Sequence, residues 1–447
     1  MKLLRGLVVL GLALPAFGQY AGPAILSRGE APAALAVPSV DFTFSITLGG
    51  TYTDGLVGIT ANNQENLTRK GSYGGAATLG LSGSHSWKHT HIGLNYSGAV
   101  AEYAHAPITG ISQGASFGLS HQLSRHMSFS LSESAGWFTQ FPPATVTLSS
   151  SVPFDPSQSN IPTTDFYDNR TIYSTTSASL TYQFTSRLSV SFGGGYFTNL
   201  RRSSALYSAT GESASGDVQY RLSRRVTMGV GYGFSHFGFS NHIGSSIIHS
   251  ATMSLSARLS RGTEFSLFGG ASVVTSSFEE SIPISPAILA ILCPPNLVTT
   301  CPLAPSVVIN NNNLWAPDFG ARISHSFHRG AVYVNGGEAI TPGNGLFLTS
   351  RSQNVSAGYG YSGLRRWSLS TGVSYVRSLS LGNIQGGYGQ VSGSFAMSRQ
   401  IMGHLSFVTS FSATQYQSGS FTSYNHLIYS GAVGLGYSSR SIPVRFF

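Results

Sequence analysis

Charge is what this chain lacks. Asp, Glu, Lys and Arg together make up 9% of its 447 residues, against roughly 25% in an ordinary soluble domain. Lysine is nearly missing: Lys2, Lys70 and Lys88 are the only ones among 25 basic residues. The solvated Lys/Glu coat of a soluble protein is therefore excluded. Aliphatic residues do not take its place, because the hydrophobic fraction is 41%. Ser, Thr, Asn and 53 glycines fill the gap. Such a composition suits a chain whose apolar surface meets something other than its own core. The formal net charge of +9 is carried almost wholly by arginine. The arginines are spread over short tripeptides instead of one patch, which argues against a nucleic-acid partner. Beyond the N-terminus no run of about 18 apolar residues occurs, so no transmembrane helix is expected. No G-x-S-x-G, H-E-x-x-H or Walker pattern is present, and no serine–histidine pair stands out. The chain is therefore not expected to be an enzyme or to need a cofactor.

The N-terminus reads MKLLRGLVVLGLALPAFGQY. Lys2 and Arg5 precede an apolar core over residues 7–14, and Ala16 and Gly18 supply small residues at the cleavage positions. This is the pattern of a secretory signal peptide, expected over residues 1–18. An Ala/Pro-rich segment, 19–39, follows, and the main body is expected over 40–447. Translocation places that body in an oxidising compartment.

Residues 178–198 show the organising pattern. Ala178, Leu180, Tyr182 and Phe184 alternate with Ser179, Thr181 and Gln183, and after Thr185-Ser186-Arg187 the alternation resumes with Leu188, Val190 and Phe192. Period 2 marks a strand with one apolar and one wet face, and two such runs joined by a few polar residues make a hairpin. The polar tripeptide recurs as Leu-Ser-Arg at 123–125, 222–224 and 259–261, with variants at 185–187, 397–399 and 438–440. Tight turns are expected at 84–89, 123–126, 185–187, 222–225, 259–262, 327–330, 363–366 and 398–402. A spacing of often about 36 residues signals a repeated hairpin unit. Eighteen strands are expected, within a range of 16–20: 40–54, 71–84, 89–103, 111–122, 126–139, 171–184, 188–200, 207–221, 226–239, 246–258, 263–276, 315–327, 331–341, 347–362, 367–380, 386–398, 403–416 and 424–437. Each is long enough to cross a bilayer at a tilt. Short connections alternate with long ones, the largest at 55–70, 140–170 and 277–314.

One face of these strands carries Phe44, Leu48, Leu94, Met228, Tyr232 and Leu435, and the other carries Thr43, Thr47, Ser116, Thr227, Ser254 and Ser410. A wet face made of small hydroxyls and glycine fits the interior of a closed barrel whose apolar face meets lipid, where no strand edge can stay unpaired. Tyr52, Tyr103, Trp137, Trp367 and Tyr437 lie near strand ends, as an interfacial girdle would. Glu133 alone among the flagged positions breaks the rule: it falls on the apolar parity, and a bulge near 134–136 would move it.

Over the whole processed chain this architecture resembles the Gram-negative outer-membrane β-barrel proteins of porin size. No motif narrows the resemblance to one family. The terminal Phe446-Phe447 resembles the assembly signal of that class, with Pro443 interrupting the strand before it. The resemblance implies an all-β, transmembrane, antiparallel up-and-down barrel with short periplasmic turns and long external loops. It also implies outer-membrane lipid, lipopolysaccharide, the barrel-assembly machinery and small hydrophilic solutes as partners, with homo-oligomers common in the class.

By parity the lumen should hold Asp41, His91, Asp217, Arg221, Arg258, Glu264, Asp318 and Arg322. They form either a weakly selective ring or the structural ion pairs of a wet wall. Small side chains cannot fill a barrel of 16–18 strands, so an aqueous channel is expected unless a loop folds in. Loops 140–170 and 277–314 are the candidates to do so. Cys293 and Cys301, in CPPNLVTTC, are the only cysteines, and a disulfide between them is expected. His89 and His91, spaced H-x-H, would share one face of a strand, but nothing completes a metal site and none is expected. Passive diffusion of small solutes is the leading function. A barrel exporting a polymer such as polysaccharide, and a non-conducting surface scaffold or adhesin, are the alternatives.

Overall fold

The computed structural model describes residues 41–56, 70–104, 110–138, 171–201, 207–240, 243–282, 306–342, 348–361, 363–364, 366–381, 386–418, 427–439 and 442–443. The signal peptide, the 19–39 segment, Cys293, Cys301 and the terminal Phe446-Phe447 lie outside them. In chain order the strands are β1 (Asp41–Leu56), β2 (Lys70–Ser86), β3 (Thr90–Tyr103), β4 (Gly110–Ser124), β5 (Met127–Phe138), β6 (Thr171–Gln183), β7 (Leu188–Arg201), β8 (Ala209–Arg221) and β9 (Val226–Phe239). The second half comprises β10 (Gly244–Arg258), β11 (Thr263–Ile282), β12 (Ser306–Phe327), β13 (Gly330–Thr341), β14 (Ser350–Tyr361), β15 (Trp367–Ser380), β16 (Gly387–Met402), β17 (Leu405–Ser418) and β18 (Leu427–Ser438). A two-residue strand β19 (Ile442–Pro443) completes the order.

From β1 to β18 every strand pairs antiparallel with its sequence neighbours. β18 returns to β1 through the register Ile46↔Tyr437 to Asp54↔Tyr429, which closes the ring. β19 continues that seam, pairing with Asp41 and Phe42. Closure removes the free edges, as hydrocarbon requires. At the seam the two chains approach closely. A Cβ added at Gly434 would lie 2.6 Å from the carbonyl oxygen of Leu48, and one at Gly49 would lie 2.5 Å from that of Val433. Only glycine fits this pair.

The alternation decides the two faces. Leu48, Phe192, Val230 and Met253 stand 56–67% exposed on the outside. Thr47, Gln219, Thr227, Ser254, Ser256 and Ser272, on the opposite parity, are buried against the inner wall. Cross-strand hydroxyl pairs tie that wall together, among them Ser130–Ser179, Ser132–Ser177 and Ser374–Ser392, each 2.6 Å apart. They supply the inner face with partners without long side chains.

The recurring tripeptide is a turn cap. Thr185 Oγ1 accepts from the backbone N–H groups of Arg187 and Leu188, Ser223 Oγ from those of Arg225 and Val226, Ser124 Oγ from that of His126 and Ser260 Oγ from that of Gly262. A hydroxyl satisfying the N–H groups two and three residues on is a local turn. The arginine after it is left free to project. Two expectations are corrected here. Met397-Ser398-Arg399 lies inside β16, and the turn falls at Gly403-His404, where Gly403 takes φ +39°. His89 sits in the turn before β3 and only His91 is on the strand, so the two do not share a face.

Opposite these turns lie the long connections. β11 and β12 run on past the expected boundaries, so that 277–282 and 306–314 of the expected loop are strand. The two pair without a break from Thr263↔His325 to Ile282↔Ser306. Gly55, Leu56 and Lys70 likewise belong to strands. Glu133 remains on the outer face: β4–β5 pairing is continuous across it, with Phe117 and Thr176 beside it, and no bulge interrupts 134–136.

Candidate functional site

The inner face is open to water over much of its height. Asn95, Ser97, Ser116, Ser213, Ser215 and Ser394 point inward by register and are solvent-exposed. Eighteen strands about 4.8 Å apart, tilted by about 40°, enclose an interior about 35 Å across between backbones.

A second layer narrows that interior at the long-loop end. β12 pairs with β13 over nine positions only, from Phe319↔Glu338 to Phe327↔Gly330, while β11–β12 pairing continues far above. Pro317, which lacks an N–H, stands just past the point where the ladder with β13 stops. Beyond it the top of β13, the start of β14 and the residues flanking them leave the wall. The decisive contact is between the hydroxyls of Ser246, on the inner face of β10, and Thr349, just ahead of β14, 2.6 Å apart and both fully buried. Along the wall β10 and β14 are four strand steps apart, about 19 Å. The contact closes only if the β13–β14 end crosses the lumen side of β11 and β12.

The packing agrees. Phe237, Phe239, Ile248, Val274, Phe278 and Ala316 face inward from β9–β12 and form one buried apolar cluster. Ile340 from β13 joins it, with Leu348 before β14 and Leu381 after β15 packed on it. By pairing, Ile340 has outward parity. Its burial at 6% exposure is intelligible because β13 here lies inside β12, so its outer side meets β12's inner side. Leu381 N–H donates to the Thr349 carbonyl at 3.0 Å, tying the end of β15 to the same strap.

Glu338 has outward parity too and is buried. Arg351 pairs with it through Nε and through Nη2 at 2.8 Å, and Gln353 Nε2 donates to it at 2.6 Å. Asp318, on the facing side of β12, is buried, accepts from Ser272 Oγ at 3.5 Å and lies within electrostatic reach of Glu338. The strap is thus held by an apolar core, a hydroxyl contact and one buried carboxylate clamp. A stacked layer takes about 10 Å of the interior, so the described residues constrict the lumen without filling it.

The expected luminal charges other than Asp318 fall into four situations. Arg258 and Glu264 form an ion pair at 3.1 Å beside the turn between β10 and β11. Arg221 is spent on the carbonyls of Ser223 and Arg224, at 3.1 and 3.4 Å. Asp217 is taken up by Ser191 and by Gln219 Nε2 at 2.7 Å, and His91 by Ser86 Oγ at 2.9 Å. Asp41 opens β1 at the short-turn rim. Arg322 points into the lumen with neither a hydrogen-bond nor an ion-pair partner for its side chain among the described residues. The charges do not converge on one point, and among the described residues no group of His, Cys, Asp or Glu is arranged to hold a metal ion. Sequence reasoning missed Ser246, Glu338, Thr349 and Arg351. The available signal was a polar run on the outward parity, Glu338, Arg351, Gln353 and Arg377, where lipid-facing strands should be apolar.

No protein-family model and no curated protein matches the chain. Among solved structures it is similar to Pseudomonas aeruginosa OpdQ, at 10% identity over 89% of this chain and 97% of that chain, with a TM-score of 0.38. It is similar to Pseudomonas aeruginosa OccK2 (OpdF), solved in complex with glucuronate, at 10% identity over 90% and 98%, with a TM-score of 0.40. It is also similar to the E. coli ferric-catecholate import receptor Fiu, at 9% identity over 89% and 81%, with a TM-score of 0.41. Overlays this loose carry no argument about ligands. The class rests on the chain itself: eighteen antiparallel strands, ring closure, apolar exterior, hydroxylated interior and alternating short and long connections are the architecture of outer-membrane β-barrels.

Proposed function

We propose that this barrel is an outer-membrane channel through which small hydrophilic solutes diffuse passively. The observation that carries the reading is the band of water-exposed inward hydroxyls and amides at mid-wall, including Asn95, Ser97, Ser116, Ser213 and Ser215. Such a wall hydrogen-bonds passing solutes weakly and without preference, so size decides passage. The strap between β10 and β14 is the size-limiting element. The inward charges add a mild bias: Arg201, Arg221, Arg258 and Arg322 stand against Asp217, Glu264 and Asp318, only Arg258 and Glu264 neutralise each other in an ion pair, and Arg322 has no side-chain partner among the described residues. Anions are therefore favoured slightly over cations.

Liposome swelling with graded neutral sugars tests this. Pentoses and hexoses should enter quickly, with a sharp fall among oligosaccharides. Failure to admit any sugar by a correctly folded barrel would remove the channel reading and favour a loop-presenting anchor. Admission of long polymers without a size limit would favour polymer export.

A further inference from the structure

Seven of the eight short turns carry an exposed Lys or Arg, at Lys88, Arg125, Arg187, Arg224, Arg261, Arg329 and Arg366, and the β8–β9 turn carries a second, Arg225. The eighth carries His404. Among the described residues the acids at this rim are Glu264, consumed by Arg258 at 3.1 Å, and Asp41 at the start of β1. Among the described residues a ring of cations with little counter-charge faces outward from one end of the barrel. Four of the turns are closed by the Ser124, Thr185, Ser223 and Ser260 hydroxyls, one of them with help from Arg221, so Arg125, Arg187, Arg224 and Arg261 take no part in closing them. Lys88, Arg125, Arg187, Arg224, Arg261 and Arg366 have no side-chain partner among the described residues.

A second observation fixes the depth of this ring. Directly above it, on the outer face, aromatic and histidine rings pair around the barrel. His85 meets Trp87 edge-on at 4.0 Å, Tyr182 meets Phe184 at 4.7 Å and His325 meets Phe327 at 4.4 Å. Arg399 lies over the Trp367 ring at 5.0 Å and His404 packs on Tyr437 at 6.0 Å. Girdles of this kind mark the level where hydrocarbon gives way to headgroups. Cations one step beyond such a girdle sit in the phosphate layer, where attraction to anionic lipid is strong and falls off within a Debye length.

We propose that the short-turn rim is a docking surface for anionic phospholipid headgroups of the leaflet it meets. Guanidinium groups suit this, since they bind phosphate oxygens in bidentate fashion. The ring anchors the barrel's vertical position and recruits an annulus of acidic lipid. The inference rests on the membrane reading above but not on conduction, so a non-conducting barrel would leave it intact.

The test uses the full processed chain, purified in detergent and transferred to nanodiscs of equal phosphatidylglycerol and phosphatidylcholine. Lipid retained by the barrel is then counted by native mass spectrometry across a salt series. Wild-type protein should retain phosphatidylglycerol in preference, by roughly tenfold at low salt and much less at high salt. The variant Arg125→Gln/Arg187→Gln/Arg224→Gln/Arg261→Gln should lose most of that preference, while Arg377→Gln, away from the rim, keeps it. If the multiple variant fails to fold, as judged by its heat-dependent gel mobility, the wild-type salt series decides. Equal retention of the two lipids by wild type, a preference insensitive to salt, or one that survives in the folded variant overturns the proposal. Tight binding of soluble polyphosphate in detergent, with no lipid preference in discs, would also overturn it and point to a periplasmic polyanion.

Discussion

Loosening the strap without touching the wall should widen the pore. Ile340 is 6% exposed in the apolar cluster between the strap and the β9–β12 wall. Cutting it to alanine removes a buried branched side chain, at about 2–4 kcal/mol. Thr349→Val removes the hydroxyl that meets Ser246, while Ser246 keeps Ser276 at 2.9 Å, so the added loss is about 1 kcal/mol. Together the two changes weaken docking by about 3–5 kcal/mol, which shifts a docked–undocked equilibrium by about two to four powers of ten. The ladder of the barrel does not depend on either side chain. The double variant should therefore show a higher single-channel conductance and admit oligosaccharides that the parent excludes, with the barrel's thermal transition nearly unchanged. A folded double variant with the parent's conductance and size limit would refute the reasoning.

The crossing itself predicts a cross-link. With Cys293 and Cys301 replaced by serine, Ser246→Cys/Thr349→Cys should form a disulfide on mild oxidation, because groups whose terminal atoms lie 2.6 Å apart have Cβ atoms close to disulfide range. Mass spectrometry of the digest would show the linked peptides, and reduction should restore current fluctuations that the bond suppresses. Arg322→Gln should reduce anion over cation preference by less than about threefold in reversal-potential measurements at moderate salt, since one unpaired cation in water is well screened. Gly434→Val should impair closure at the β1–β18 seam by about 1–3 kcal/mol or more, because its Cβ would meet the Leu48 carbonyl, and yield of the folded band on gels would report it.

Alternation made nearly the whole wall legible. All eighteen expected strands are present, and most ends agree within two or three residues. Period 2 is a local property of each strand, and outside the β13–β14 strap the strands keep one face in water and one in lipid. The exceptions have causes. β11 and β12 were cut short because Phe278 to Ile282 and the Asn310–Asn313 run do not alternate in the usual way, and mutual pairing sustains them. Arg399 belongs to a tripeptide that elsewhere caps a turn, but here it packs over Trp367 inside a strand. The strap was illegible for a different reason. Parity says which side of a strand a residue occupies and nothing about whether the strand stays in the wall, so Ile340 and Glu338 read as lipid-facing. The polar run at Glu338, Arg351, Gln353 and Arg377 marks the departure locally, but the burial of Ile340 depends on contacts with β10–β12 that no local pattern encodes.

Water access along one strand tests the account most directly. Ser213, Ala214 and Ser215 are consecutive on β8, with the serines inward and the alanine outward. In a background without native cysteines, each is changed to cysteine and the barrel is placed in a bilayer with a charged, water-soluble thiol reagent. Ser213→Cys and Ser215→Cys should react quickly and lower the current, while Ala214→Cys stays silent. Fast labelling of Ala214→Cys with unreactive neighbours would contradict the assignment of the two faces.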